Sequence, residues 1–218
     1  MNIKYYIDNV DIATFGVYVS ASEGILNRPS RKEIKSQSYN DENGVVVDLS
    51  QNYIDKREIT LTCFIKADDK ATFISNVQSF ENLFSGAGLQ RLRIEVDGCK
   101  PLLYDVYLDT AITIKKTWNE NDMVGTFSVK LIEPNPVKKV YTYIRSSAGS
   151  STATVTITTT KCVDITWGDG SVTFDVVGAS QTIAHDYTSN GTYYIIVAGD
   201  IDNISSISVN GSELWNKL

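Results

Sequence analysis

Trp167-Gly168-Asp169-Gly170 is the stretch that decides the fold of the second half of this chain. Val163, Ile165 and Trp167 alternate with polar residues, which is typical of a β-strand buried on one face. Gly168 and Gly170 can adopt positive φ at no steric cost, and the Asp169 carboxylate can accept hydrogen bonds from turn amides. The stretch therefore predicts a buried strand that ends in a tight turn.

Two segments downstream extend this pattern. His185-Asp186-Tyr187 is followed by Asn190-Gly191-Thr192-Tyr193, in which Asn-Gly is a turn signal. Residues 192–197 are then rich in β-branched and aromatic residues. From the residues alone we predict a small β-sandwich over residues 138–218.

The first 137 residues predict strands and one helix. Residues 59–65, 92–96 and 127–131 each alternate apolar and polar side chains, as half-buried strands do. Between the first two, apolar residues at 73, 74, 77, 80, 83 and 84 follow the spacing of one helical face. We expect a helix at about 69–85, capped by Asp68 or Asp69 and ended by Gly86, with its apolar side covering a sheet.

Two other segments organise the chain. Residues 20–57 lack a clear period and contain Pro29 and the turn at 40–44, so we expect an extended loop or hairpin arm. Glu133-Pro134-Asn135-Pro136 ends the preceding strand, because proline cannot donate to a sheet ladder. We therefore expect one domain at 1–137 and a second at 138–218.

Composition restricts the classes of partner. The 218 residues carry a net charge of −6 and no basic block stands out, so specific nucleic-acid binding is not expected. No apolar run is long enough to span a membrane, and the first residues have no secretory signal pattern. We expect a protein that is made in a cytoplasm.

The chain contains few residues in an arrangement that favours catalysis. His185 is the only histidine, and its neighbour Asp186 should point to the opposite face of a strand. Asp164, Asp169 and Asp175 follow no known calcium-loop spacing. The cysteines lack metal-ligand spacing, and Cys63 falls at an inward strand position. We predict no enzyme activity, no cofactor and no metal, with His185 in a structural role.

The second domain resembles the PKD family of Ig-like β-sandwiches. The resemblance covers about 60 residues and rests on eight motif positions. These are Trp167, Gly168, Asp169, Gly170, His185, Tyr187, Gly191 and Tyr193. It implies that Trp167 and Tyr193 anchor the core, that Asp169 orders the turn, and that the module binds or spaces rather than catalyses. The exit at Gly199-Asp200 is similar to versions in surface and phage proteins of gut Bacteroidota.

The first domain resembles the N-terminal domain of siphophage distal tail proteins. The similar segments are residues 15–19, the strand at 57–61, the helix, residues 88–92, and the closing strand at 127–131. The resemblance implies a split β-barrel or sandwich flanked by a helix, which assembles as a hexameric ring at the tail tip. Many relatives carry a galectin-like module where this chain carries the PKD-like one.

Together the two resemblances predict a structural tail component of a phage or prophage, assembled in the bacterial cytoplasm and located in the virion tail. Its expected partners are further copies of itself, the tail tube, and tail-tip or fibre proteins, with a host-surface glycan as an open alternative for the second domain. The first rival is a bacterial surface adhesion or glycan-binding protein with a PKD module. The second rival is a hydrolase that uses His185 in an unusual site.

Overall fold

The computed structural model of the protein describes residues 3–50, 53–119 and 122–218. Within them the chain is mainly β, with the single α-helix α1 (Lys70–Asn82) and two short 3-10 helices, Ile12–Phe15 and Ile201–Asn203. The strands before Pro134 are β1 (Ile3–Ile7), β2 (Val10–Asp11), β3 (Val17–Glu23), β4 (Ser36–Gln37), β5 (Val46–Val47), β6 (Arg57–Ala67), β7 (Gln90–Val96), β8 (Leu102–Leu108), β9 (Lys115–Trp118) and β10 (Met123–Glu133). The strands after it are β11 (Lys138–Arg145), β12 (Thr152–Thr166), β13 (Val172–Asp186), β14 (Gly191–Gly199), β15 (Ile204–Val209) and β16 (Ser212–Trp215).

The first half of the chain forms an 8-stranded antiparallel sheet in the order β2-β1-β7-β8-β10-β6-β3, with β9 added to β10. β6 and β10 pair along their full length, from Met123 opposite Ala67 to Glu133 opposite Arg57. Only two residue pairs join β8 to β10, so the sheet divides there into two parts. The described strands do not close into a barrel, and the predicted sandwich with a flanking helix is confirmed.

Burial along β6 follows the predicted alternation. Ile59, Leu61, Cys63 and Ile65 are buried, whereas the residues between them are exposed or partly exposed. The inward position predicted for Cys63 is therefore correct. The outward face carries one stacked aromatic pair, Tyr18 on Phe64.

Helix α1 covers the inner face of this sheet. The Asp69 carboxylate accepts hydrogen bonds from the amides of Ala71 and Thr72 and so caps the helix. Phe73 and Phe80 are buried, and the Phe80 ring lies 5.6 Å from that of Phe127 on β10. The helix is shorter than predicted and ends at Asn82, with Leu83 as its right-handed C-cap. The expectation that Gly86 caps the helix is wrong, because the last turn tightens at Leu83 and Phe84.

A protruding segment, which we call the arm, comprises residues 26–50. β4 and β5 pair within it as a hairpin, with Ser36 opposite Val47 and Gln37 opposite Val46. The predicted hairpin arm is therefore present in the described part of residues 20–57; residues 51 and 52 lie outside the described ranges.

The second half forms a 6-stranded antiparallel sheet in the order β13-β12-β14-β11-β16, with β15 also paired to β12. The sequence predicts two strands, near 153–158 and 162–167, where β12 is continuous, and two more, near 171–177 and 181–185, where β13 is continuous. Register shifts between Ile157 and Ile165 bend the long β12–β13 pair. One half of β12 pairs with β15 and the other half with β14. This arrangement gives the two layers of a sandwich.

The buried apolar residues form three clusters. One lies between α1 and the first sheet, and a second fills the sandwich around Trp167, Ile165 and Ile195. The third crosses the connection between the halves and joins Leu103 of β8 to Val140, Ile196 and Ala198. The two halves are therefore packed against each other. Among the described residues, no helix has the length and apolarity to cross a membrane.

Candidate functional site

The turn at residues 167–171 is held by its own backbone and by Asp169. The Trp167 amide donates to the Ser171 carbonyl at 3.0 Å, and the Ser171 amide donates to Asp169 Oδ1 at 3.0 Å. Gly168 and Gly170 have φ of 90° and 94°, a region that other residues rarely adopt. Glycine at both positions therefore fits the conformation of this turn.

Aromatic rings stack behind the turn. The His185 ring lies 4.9 Å from the Trp167 ring, and the Tyr187 and Tyr193 rings are 3.7 Å apart. Tyr187 donates from its hydroxyl to the Trp167 carbonyl at 2.7 Å. Seven of the eight motif residues thus lie together. Gly191, the eighth, begins β14 opposite Arg145 and lies beside the Tyr193 ring.

His185 pairs with Asp169, a contact that no local sequence pattern indicates. Nε2 of His185 lies 2.7 Å from Asp169 Oδ2. Asp186, the sequence neighbour, instead accepts a hydrogen bond from Thr152. Partial burial acts to raise the pKa of Asp169, but the hydrogen bonds from His185 and Ser171 outweigh it and hold that pKa below its usual value of 3.8.

These contacts attach the turn to β13. Within the described ranges, His185 makes no hydrogen bond to a serine, threonine or cysteine side chain that could act as a nucleophile. No group of three His, Cys, Asp or Glu side chains among the described residues could hold a metal ion. Asp164 accepts the Asp175 amide at 3.0 Å, which is a β-bulge contact.

A cleft of about 470 Å³ lies where the two halves meet. One wall is the turn after β1 together with the loop that leads from α1 to β7. The opposite wall is the outer face of β12 and β13, and the β10–β11 connection forms the floor. We call this space the cleft; the lining residues used below are Asp8, Arg91, Asp105, Glu133, Lys138, Asp164, Val172 and Phe174.

The cations in the cleft already have carboxylate partners. Arg91 binds Asp105 through two hydrogen bonds of 2.7 and 3.0 Å and also donates to the Tyr194 carbonyl of the second sheet. Lys138 is fully buried and binds Glu133. Asp8 accepts the Arg91 amide at 2.7 Å, and its partial burial raises the pKa of its carboxyl. The cleft therefore has an excess of negative charge.

The floor of the cleft is part of a buried ionic network. Glu133 binds Lys138 on one side and Arg57 on the other, with 2.8 Å between Arg57 Nε and Glu133 Oε2. The cations also lie over the Tyr104 ring, Lys138 at 4.6 Å and Arg57 at 5.4 Å from its centroid. Burial raises the pKa of Glu133 and lowers that of Lys138. The network ties the first residue of β11 to the first sheet.

Two hydrogen bonds at β16, the last strand, join the second half to the first. Trp215 donates from its indole nitrogen to the Pro101 carbonyl at 2.9 Å, and Lys100 donates to the Leu214 carbonyl at 2.9 Å. Trp215 thus lies in the contact between the halves.

The whole chain can be superposed on a known phage protein. It is similar to the crystal structure of the SPP1 Dit (gp 19.1) protein, described as a paradigm of the hub adsorption apparatus in phages that infect Gram-positive hosts. The TM-score is 0.50 at 12% identity, over 100% of this chain and 90% of that one. The fold is therefore similar to that of the SPP1 Dit protein.

A second likeness is to the structure of the phage p2 baseplate in its activated conformation with Sr. Its TM-score is 0.44 at 8% identity, over 90% of this chain and 98% of that one. No model of a protein family matches the chain, and none of the curated proteins does.

Proposed function

We propose that this protein is a distal tail protein, a structural hub that forms a ring at the tip of a phage or prophage tail. The observation that carries the proposal is the hub-like fold, which extends over 100% of this chain at a TM-score of 0.50. The SPP1 protein is described as part of an adsorption apparatus, and we transfer that role to this chain. Its partners are then the tail tube on one side and tip or fibre proteins on the other.

We propose residues 1–137 as the ring-forming domain and residues 138–218 as a peripheral PKD-like domain. Each half has its own large apolar cluster, which supports a division near Pro136. The motif around Trp167 stabilises the second domain in this proposal, because its side chains contact one another and the adjacent turn. The resemblance at Gly199-Asp200 supports a Bacteroidota host.

The arm supports self-assembly. It exposes large apolar side chains that a monomer would leave in water, with Leu26 the most accessible at 83%. Exposed apolar side chains in such number mark an interaction surface. The others in the arm are Tyr39, Val45, Val46, Val47 and Leu49. An arm that contacts a neighbour in one direction makes a head-to-tail interface, which closes into a ring when the rotation permits.

The test is the mass and symmetry of the purified protein. We expect light scattering on a size-exclusion column to give six times the chain mass of 24.1 kDa, and negative-stain images to show six-fold rings. A chain that stays monomeric at every concentration, alone and mixed with tail-tube protein, would contradict the proposal. A glycan array that retains the protein through residues 138–218 without any ring would favour the adhesion protein instead.

A further inference from the structure

We propose that the basic part of the arm in one copy binds in the cleft of a second copy. This inference rests on the proposed ring and names the two surfaces that hold it together. The basic part, residues 26–35, is Leu26-Asn27-Arg28-Pro29-Ser30-Arg31-Lys32-Glu33-Ile34-Lys35.

The basic part of the arm is charged and has no ionic partner. It carries four cations and one carboxylate, whereas the whole chain has a net charge of −6. Arg28, Arg31, Lys32 and Lys35 are all exposed, and none makes an ion pair with any described residue. Backbone hydrogen bonds hold this segment in place; for example, the Lys32 amide donates to the Tyr53 carbonyl at 2.9 Å. These four side chains are therefore free to bind an acidic surface.

The cleft offers carboxylates without a bound cation. Oδ1 of Asp8 accepts the Arg91 amide, and Oδ1 of Asp164 accepts the Asp175 amide. Neither carboxylate has a Lys or Arg side chain in ion-pair contact within the described part of the chain. Because Arg91 and Lys138 already bind Asp105 and Glu133, a cation that enters the cleft meets an uncompensated negative charge.

The cleft also matches the arm in apolar character. Val172 and Phe174 line it and are exposed, Phe174 at 68%. The bulge at Asp175, where φ is 56°, places Val177 on the same face and so lengthens the apolar stripe. Lysine and arginine stems pack on such a surface, and their charged ends are attracted to an aromatic face.

The two surfaces belong to different copies. None of the residues that line the cleft comes from the basic part of the arm in the same chain. Each copy therefore presents an acidic, apolar cleft and a basic, apolar arm, and a contact between them is head-to-tail. Repetition of that contact is the geometry that a ring needs.

The first experiment removes the charges but keeps the hydrogen bonds. In Asp8→Asn/Asp164→Asn the amide oxygens still accept the same backbone N–H groups, and asparagine tolerates the positive φ of residue 8. Asp97→Asn/Glu213→Gln, at two exposed positions, is the control with the same change in net charge. We expect the cleft variant to need about tenfold more protein to form rings, and the control to behave as the unmodified chain.

The second experiment measures the contact without a ring. The receiving protein is Lys32→Glu/Lys35→Glu, whose own arm is reversed in charge, and the probe is a fluorescent peptide of residues 26–36. We expect the peptide to bind, and to bind about tenfold more weakly when Asp8→Asn/Asp164→Asn is added or when salt is raised to about 0.5 M. A peptide with Gln in place of Arg31 and Lys32 is the matched control.

The outcomes separate the two proposals. Rings that persist in the cleft variant, with peptide binding unchanged, would overturn the arm-and-cleft contact and leave the ring in place. Loss of rings only in the cleft and arm variants, with thermal unfolding unchanged, would support the contact. If the unmodified chain never forms rings, the hub proposal fails, and the peptide measurement still decides whether arm and cleft bind.

Discussion

Nη1 of Arg57 donates a 2.6 Å hydrogen bond to the carbonyl oxygen of Asn27, so a side chain of the buried network holds the base of the arm. The same guanidinium binds Glu133, which in turn binds Lys138 at the start of the second sheet. The arm, the first sheet and the second sheet are therefore connected through one side chain. Removing that side chain should therefore weaken the contacts of the arm, the first sheet and the second sheet.

Arg57→Met should lower the free energy of unfolding by about 3 kcal/mol, because it leaves a buried carboxylate with one cation in place of two. It should also speed proteolytic cleavage in the arm, since the arm base loses its hydrogen bonds. Denaturant unfolding and limited trypsin digestion measure the two effects. Lys56→Met is the control, because Lys56 is half exposed and pairs with Glu58 at the surface. Equal loss in both variants would show that the network contributes nothing beyond an ordinary surface pair.

Asp169→Asn should reduce the free energy of unfolding at neutral pH by about 1 kcal/mol. It should also make that free energy depend less on pH below about pH 4. The pKa of Asp169 is lower in the folded state than its usual 3.8, so its contribution is present above pH 4 and is lost as pH falls through the folded pKa. The measurement is the free energy of unfolding from pH 3 to pH 7 (about one point per half unit) for the variant and the unmodified chain. The difference between the two curves removes the effects of Asp8 and Glu133, whose pKa values are raised. A constant difference at all pH values would refute this role for Asp169.

Gly125→Ala should destabilise the first half by about 1–3 kcal/mol. A methyl group there would lie 2.7 Å from Ile114 Cγ2 and 3.0 Å from Phe73 Cζ, under the helix. Gly86→Ala is the matched control, since its methyl group would meet nothing within 4 Å and its φ is not positive. Thermal unfolding of the two variants should diverge, with Gly86→Ala unchanged or slightly more stable. Similar melting temperatures would mean that α1 does not pack on β10 as described.

Only Cys99 and Cys162 should react with a thiol reagent in the folded protein, because both are exposed and Cys63 is buried. Burial raises the pKa of Cys63 to about 12, which removes its reactive thiolate at neutral pH. A colorimetric thiol assay should count two groups in buffer and three in denaturant. Rapid labelling of all three without denaturant would contradict the packing of β6.

Local patterns allowed much of the fold to be predicted. Alternation at residues 59–65 and the apolar spacing from Phe73 to Phe84 are properties of single segments, so strands and helix follow from them. The end of the helix was misplaced because Gly86 suggests a cap, whereas Ser85 already bonds the Asn82 carbonyl. The two long strands were divided because bulges interrupt their alternation without ending the ladder.

The site could not be predicted in the same way. Asp169 and His185 are 16 residues apart and meet only because the β12–β13 pair bends. Asp8, Arg91 and Asp164 come from three distant segments, and no local pattern indicates that they share a cleft. The basic part of the arm is visible in the sequence, but its lack of ionic partners is a property of the folded chain.

In the proposed tail-tip ring, the buried contact between Glu133 and Lys138 would affect how the ring binds a host surface. A binding domain on a flexible linker moves independently of its neighbours. The gain in avidity from several copies then depends on the length of the linker. In this chain ionic and apolar contacts hold the second half against the first, so in the proposed ring the spacing between copies of the second half would follow the symmetry of the ring. Multivalent capture would then favour host surfaces whose receptors repeat at that spacing, and would discriminate by distance as well as by chemistry.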